Sequence, residues 1–219
     1  MKSQKLLLLL TLLFTIFSAA YGQDLSKYPD NVRLKTIISD AKKNHDTSPV
    51  TTGELSDFAQ QAQKAKKYQL AVDCYEQILK IDPARIEYAS IRGLINMNDL
   101  KDYKSAIKDF SIPIAAGSKE FTDYYNRGTS YFQLQKYKEA LADLNRSFEL
   151  NSGQAKTLLN RGLTKYYLKD ADGAISDLTA GINIDPTIKN LYLARAFAYQ
   201  MKGDEAKANA DNATAARIQ

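Results

Sequence analysis

The chain has one cysteine, one histidine and no tryptophan in 219 residues. With Cys74 alone no internal disulfide can form, and its place in an apolar helical pattern reads as a small buried thiol. His45 lies in a different kind of segment, a polar loop with no second histidine or cysteine cluster near it. Zinc-type metal sites and Cys-His nucleophilic catalysis are therefore excluded, and His45 reads as an exposed loop residue. Gly-rich phosphate loops are absent, as are long polar or Gly/Pro-rich tracts, and only five prolines occur. At 44% hydrophobic the chain is not a disordered one. A formal charge of +5 is too weak a bias to imply a nucleic-acid partner.

Tyrosine is plentiful, fourteen against eight phenylalanines, which suits a helical body whose aromatics are half-buried with a polar end free. Residues 1–22 are a different kind of sequence. Lys2 and Lys5 precede an unbroken apolar stretch from Leu6 to Phe17, and Ser18 to Gly22 form a small-residue exit. This is the pattern of a secretory signal peptide cleaved after Gly22, and the apolar stretch is too short to span a bilayer comfortably. No cysteine stands at the cut to take a lipid. Cleavage would remove two lysines and no acid, lowering the charge from +5 to +3. The mature chain is expected to be exported, to a periplasm in the first instance or to the extracellular space, without stable membrane insertion.

From about residue 52 the chain repeats itself. The stretch "YNRGTSYFQLQKYKEALADL" at 125–144 returns as "LNRGLTKYYLKDADGAISDL" at 159–178, an offset of 34. Ala71, Ala106, Ala140, Ala174 and Ala208 are separated by 35, 34, 34 and 34 residues. Ala59, Gly93, Gly128, Gly162 and Ala196 precede them by twelve residues, or thirteen in the second case. Two helices approach closely only where both contacting positions are small, so each pair predicts an antiparallel helical hairpin pinched at one level. The turns are expected at Lys66-Lys67, Asp99 to Asp102, Gln135-Lys136, Lys169-Asp170 and Lys202 to Asp204. Thr51-Thr52-Gly53-Glu54 has the pattern of a capping box ahead of the first hairpin. Segment 23–51 allows one amphipathic helix through Val32, Leu34, Ile37, Ile38 and Ala41. The Ala-rich polar run from Glu205 suits a terminal cap facing water.

Arg92, Arg127, Arg161 and Arg195 stand directly before the small residue of the first helix, and Asp109, Asp143, Asp177 and Asp211 stand three after the alanine of the second. Guanidinium presents a fork of donors suited to carboxylate, so a ladder of Arg–Asp pairs is expected, within a repeat or to its neighbour. The alternative is that the arginines bind an acidic ligand.

The period and the placement of small, aromatic and proline residues resemble the tetratricopeptide repeat family over residues 52–219. Tyr124, Gly128, Tyr131, Tyr137 and Ala140 occupy that pattern in the third unit, and "KIDP" and "NIDP" close the first and fourth at Pro83 and Pro186. The resemblance implies an all-α solenoid, a right-handed superhelix of about five repeats with approximate bounds 52–85, 86–120, 121–154, 155–188 and 189–219. Departures are Ser152 in place of a closing proline and Pro113 inside a second helix. That helix is expected to stop or bend near Ile112, with "IPIAAGS" irregular.

In that family the first helices line a concave groove, and an asparagine there often holds an extended peptide. This implies peptide contact at Asn126 and Asn160, with a hydrogen bond to a neighbouring helix as the alternative. Thr129 and Phe132, then Lys156, Leu163, Tyr166 and Tyr167, then Phe197 share their face one helical turn away. Ser56 and Gln60 stand where the carboxylate-clamp subgroup has lysine and asparagine, so the tail of a chaperone is not the implied ligand. The expected partner is another protein or peptide, with no cofactor, no metal and no catalytic residue. The alternatives are an assembly component of a cell-envelope complex docking through its outer face or ends, and an enzyme of a type without recognisable signature.

Overall fold

The computed structural model describes residues 49–218, and among them every regular element is helical. The expected signal peptide (1–22), the helix in segment 23–48 and His45 lie outside the described residues. In chain order the helices are α1 (Pro49–Lys64), α2 (Tyr68–Ile81), α3 (Glu87–Asn98), α4 (Tyr103–Ala115), α5 (Phe121–Gln133), α6 (Tyr137–Leu150), α7 (Ala155–Tyr167), α8 (Ala171–Ile184), α9 (Lys189–Met201) and α10 (Glu205–Arg217). Consecutive pairs form hairpins, and the hairpins stack into an all-α repeat solenoid. The first helix begins at Pro49, so Thr51 to Glu54 lie inside it and do not cap it. A proline at the first helical position costs no hydrogen bond, because that N–H has no helical acceptor.

Four of the five hairpin turns have the same backbone solution, and the longer second turn closes with Asp102 N–H on the Asn96 carbonyl. In the third repeat the Gln135 N–H donates to the Phe132 carbonyl and the Lys136 N–H to the Tyr131 carbonyl, the pair of bonds that closes a Schellman end. The residue between the helices must then adopt positive φ, and Lys66, Lys101, Gln135 and Lys169 do so at 56° to 68° without being glycine. Three second helices start under an aspartate: Asp102, Asp170 and Asp204 accept from the backbone N–H of Ser105, Gly173 and Lys207. The connections between repeats are held by Asp82, Asn151 and Asp185, whose side chains accept from the N–H two residues on. Ser152 therefore substitutes for proline without changing the turn, because the neighbouring Asn151 fixes it.

Pro113 departs from expectation. Helix α4 runs through it to Ala115, with Pro113 buried in the last turn. So near the C-terminus the proline forgoes a single helical bond, and its own carbonyl accepts from Ser118 N–H in a Schellman end with Gly117 at φ 85°.

The pinch also differs in its partner. Ala71, Ala106, Ala140, Ala174 and Ala208 are all 0% exposed, yet the side chain nearest each central glycine is the large residue four positions after the alanine. A Cβ on Gly93 would lie 2.9 Å from the Phe110 ring, on Gly128 3.0 Å from Leu144 Cγ, and on Gly162 2.7 Å from Leu178 Cγ. Glycine makes room for that side chain, and the alanine brings the second helix down to it; of the alanines, only Ala140 is among the nearest neighbours, through its carbonyl.

Arginine and aspartate close the same level. Arg127 Nε and Nη2 reach Asp143 at 2.7 and 2.8 Å, Arg161 reaches Asp177 at 2.8 and 2.6 Å, and Arg195 reaches Asp211 at 2.8 Å through both nitrogens. Each pair lies within one repeat and joins its two helices. Nη1 of Arg127 and Arg195 continues to Ser111 and Thr179 on the second helix of the preceding repeat, and Arg161 instead lies 3.9 Å over the Phe148 ring there. The second repeat has one more residue in its turn, so Arg92 meets a single oxygen of Asp109 and Asn96 donates to the other at 2.8 Å. Hydrogen bonding to Asp143 and Asp211 holds Arg127 and Arg195 above the usual arginine range against the opposing effect of burial.

First helices of successive repeats, α3 with α5, α5 with α7 and α7 with α9, come closer to one another than any two second helices do. The stack accordingly curves with the first helices on its inner side.

Two outcomes follow from this packing. Gly162→Ala is expected to lower the unfolding free energy by about 1–3 kcal/mol, with Leu178→Ala in the same chain relieving the crowding that the new methyl causes, as read by urea denaturation. Asp143→Ala is expected to cost about 3 kcal/mol because it strands a half-buried guanidinium, and replacing Arg127 with Leu as well should recover much of that loss.

Candidate functional site

The inner face is built from one stripe of each first helix. Phe132 ends α5, Tyr166 and Tyr167 end α7, and Phe197 sits in the middle of α9. The stacking of repeats brings them into a continuous row of rings. Phe132 meets Tyr167 edge-on at 5.5 Å, Tyr166 meets Tyr167 edge-on at 5.3 Å, and Tyr166 lies 6.3 Å from Phe197. Tyr137, the first residue of α6, completes the row: it stacks on Tyr167 at 4.9 Å with the rings 5° from parallel, and meets Phe132 edge-on at 5.5 Å. Rings arranged this way hold each other in place and keep their outer faces free. Tyr167 is 48% exposed and Phe197 52%, the two most exposed large apolar side chains among the described residues. Leu94 of α3 extends the exposed row toward the second repeat at 38%.

The sequence-predicted residues divide in this geometry. Phe132, Tyr166, Tyr167 and Phe197 come together. Leu163 and Tyr166 also pack against the buried cluster of Ala155, Ala174, Leu178, Leu191, Ala194 and Ala198, so they brace the face from behind. Lys156 is exposed at the start of α7, about three helical turns from Tyr166. Asn160 is held inside the protein, its Nδ2 donating to Thr129 Oγ1 at 3.0 Å and to the Tyr125 hydroxyl at 3.2 Å on the preceding first helix. Burial pushes the Tyr125 phenol above its ordinary range, so it remains a protonated hydroxyl in this contact. Asn126 has no such arrangement. The positions matching Tyr125 and Thr129 one repeat earlier are Ser90 and Leu94, and the Ser90 hydroxyl already donates to Asp123 at 2.8 Å. Among the described residues the Asn126 amide has no hydrogen-bond partner, so both its donor and its acceptor are open to a ligand.

Two profiles of the tetratricopeptide repeat match the chain, over residues 59–85 and 123–153. These two segments match the tetratricopeptide repeat. Solved structures with this repeat architecture superpose over most of their length. MamA aligns at a TM-score of 0.71 and 24% identity, over 75% of this chain and 89% of its own. MamA residues 41 to the end from Desulfovibrio magneticus RS-1 align at 0.72 and 17% identity, over 76% and 94%. YrrB, described as a TPR protein with an unusual peptide-binding site, aligns at 0.69 and 23% identity, over 84% and 92%. No curated protein sequence matches the chain.

Tyr137, marked in the sequence only as an aromatic position of the repeat pattern, joins the row of rings. Its neighbour in space is 30 residues away in sequence, and only the 34-residue period placing Tyr167 just short of the next equivalent position hints at the contact. A second hollow lies on the other side of the molecule, a cleft of about 730 Å³ between α2 and α4 with Arg92, Asn96 and Asp109 in its floor and Val72, Leu79 and Leu100 in its walls. Glu76, which lines it, stands at the position that Ser111 and Thr179 hold in later repeats. No group of three or more His, Cys, Asp or Glu among the described residues could hold a metal ion. Cys74 is buried and its thiol is pushed up to about 12, mainly by desolvation, so it is not a thiolate at neutral pH.

The two asparagines give opposite expectations. Asn160→Ala should lower stability by about 1 kcal/mol through loss of its two inter-repeat bonds, whereas Asn126→Ala should stay within about 0.5 kcal/mol of the parent, both read by thermal unfolding.

Proposed function

We propose that this protein is an exported, non-catalytic interaction module that binds a segment of another protein along the inner face of its solenoid. The observation that carries the reading is the aromatic row from Phe132 through Tyr137, Tyr167 and Tyr166 to Phe197, in which Tyr167 and Phe197 are exposed and the other rings half-buried. A contiguous exposed apolar strip on a folded chain is expensive to leave in water, and rigid aromatics lose little entropy on binding, which is why such rings dominate interfaces. Asn126 adds an amide with both functions open, suited to a peptide bond. Thr129, one turn before Phe132, accepts from Asn160 Nδ2, Leu163 packs behind the row, and Lys156 stands at the far end of α7. The peptide-binding site of YrrB, a protein of the same fold, supports a groove of this kind here. Export rests on the composition of residues 1–22. No helix among the described residues is long and apolar enough to cross a membrane.

A second reading has its own observation. The cleft between α2 and α4 is a candidate for docking through the outer face, as an assembly component of an envelope complex would.

A partner captured from the envelope fraction and quantified by titration separates the two. The double variant Tyr167→Ala, Phe197→Ala should lose at least about tenfold in affinity with its thermal midpoint little changed. If affinity holds there and collapses on Leu79→Glu, the outer cleft is the docking site. The mass of the mature protein, starting at Gln23 or at Met1, decides the export step.

A further inference from the structure

The first repeat differs from the others on the side where a second helix faces the second helix before it. Arg92, Ser105 and Asp109 line the cleft between α2 and α4, so on α4 they mark the side turned toward the preceding repeat. One repeat earlier the matching positions are Phe58, Leu70 and Cys74. In later repeats this side is ionic and wet. An Arg–Asp pair occupies its middle, and the residues matching Leu70 are Ser105, Glu139, Gly173 and Lys207, none of them buried. In the first repeat it is apolar.

Burial there runs against position. No described helix precedes α1, so this side of α2 lies at the open end of the stack. Yet Leu70 is 2% exposed, Cys74 0% and Gln77 5%. The positions matching Gln77 in the next three repeats, Ile112, Arg146 and Ala180, are all exposed although each has a second helix before it. The end of the stack is better covered than its interior.

The flank of α1 at the same end is finished for water. Glu54, Asp57 and Gln61 are exposed there, whereas the same three positions in the last repeat are Leu191, Ala194 and Ala198, buried in one cluster with Ala174 and Leu178 of α8. A second copy or a further repeat stacked on this end would bury both carboxylates of α1. What covers α2 must therefore be narrow.

The chain supplies an occupant of that size. Residues 23–48 lie outside the described residues, and within them Leu34, Ile37, Ile38 and Ala41 have the spacing of one helical face. A helix over 32–41 would be about 15 Å long, enough to lie along the stripe from Leu70 to Gln77. Residues 42–48 can span up to about 24 Å, which leads from the Ile81 end of α2 to Pro49 at the adjacent end of antiparallel α1.

We infer that segment 23–48 closes the N-terminal end of the solenoid, packing Leu34, Ile37, Ile38 and Ala41 on Phe58, Leu70, Cys74 and Gln77 in the place a preceding second helix would take. The segment runs parallel to α2, as the second helices of successive hairpins do. Closing this end removes it from the surfaces open to a partner and leaves the inner face and the α2–α4 cleft, whichever of the two binds.

Cys74 is the one thiol of the chain and lies in the stripe, so its labelling reads the cover directly. The test follows reaction of the chain from Gln23 with N-ethylmaleimide at about pH 8. Ile37→Asp with Ile38→Asp should raise the labelling rate at least about tenfold, with amide hydrogen exchange faster in α1 and α2 and unchanged from α5 to α10. Thr36→Asp with Ser39→Asp adds the same charge to the opposite side of the segment and should leave both readings as in the parent. Labelling unchanged by the isoleucine pair, or raised equally by the Thr36 and Ser39 pair, overturns the proposal. A rise accompanied by faster exchange throughout α5 to α10 is a general loss of fold and overturns it too. Protection of Cys74 that grows with protein concentration assigns the cover to a second copy, with the same consequence.

Discussion

In each central repeat a glycine on the first helix makes room for one large side chain of the second, and the level of that contact fixes everything built on it. Phe110, Leu144 and Leu178 reach their glycines only because an alanine one turn earlier, wholly buried in every repeat, lets the second helix descend. With the axes brought together there, the guanidinium of the preceding arginine spans to the aspartate opposite and on to the second helix of the repeat before. One level thus contains an apolar contact, an ion pair and an inter-repeat tie. The ion pair is half-buried and bidentate, so its directional geometry defines register more than its net energy defines stability.

The inner face follows from that register. First helices that lie close on one side put the ends of α5 and α7 and the middle of α9 within ring-contact distance, so residues that are isolated aromatics in a single hairpin become a continuous row. Edge-on contacts of Tyr167 with Phe132 and Tyr166 and its stack on Tyr137 brace the row, and Leu163 and Tyr166 join it to the core. A row of braced rings with Tyr167 and Phe197 exposed has the makings of a docking surface.

Where the repeat is irregular the molecule is irregular in a matching way. The additional residue between Gly93 and Ala106 lengthens one turn, shifts Arg92 to a single carboxylate oxygen and brings in Asn96 to satisfy the other. Beside it a cleft opens between α2 and α4, walled by Val72, Leu79 and Leu100. Pro113 looked like a helix breaker and is not one, because it stands in the last turn, where it removes one hydrogen bond and the helix ends two residues later.

What the amino-acid sequence determined by itself was periodic. Spacing of small residues, of Arg and Asp and of turn residues is local information repeated five times, and a pattern of 34 residues has few ways to bury its apolar side other than by stacking hairpins. It could not say which atom fills the space beside a glycine, since alanine and the leucine beyond it sit on one face and only the helix crossing chooses between them. Nor could it separate Asn126 from Asn160, identical in motif and 34 residues apart. The second finds Tyr125 and Thr129 on the helix before it, the first finds Ser90 and Leu94, and one amide is satisfied while the other is left open. That choice belongs to the tertiary structure because it depends on the neighbouring repeat, and hydrogen bonds are made to the atoms within reach.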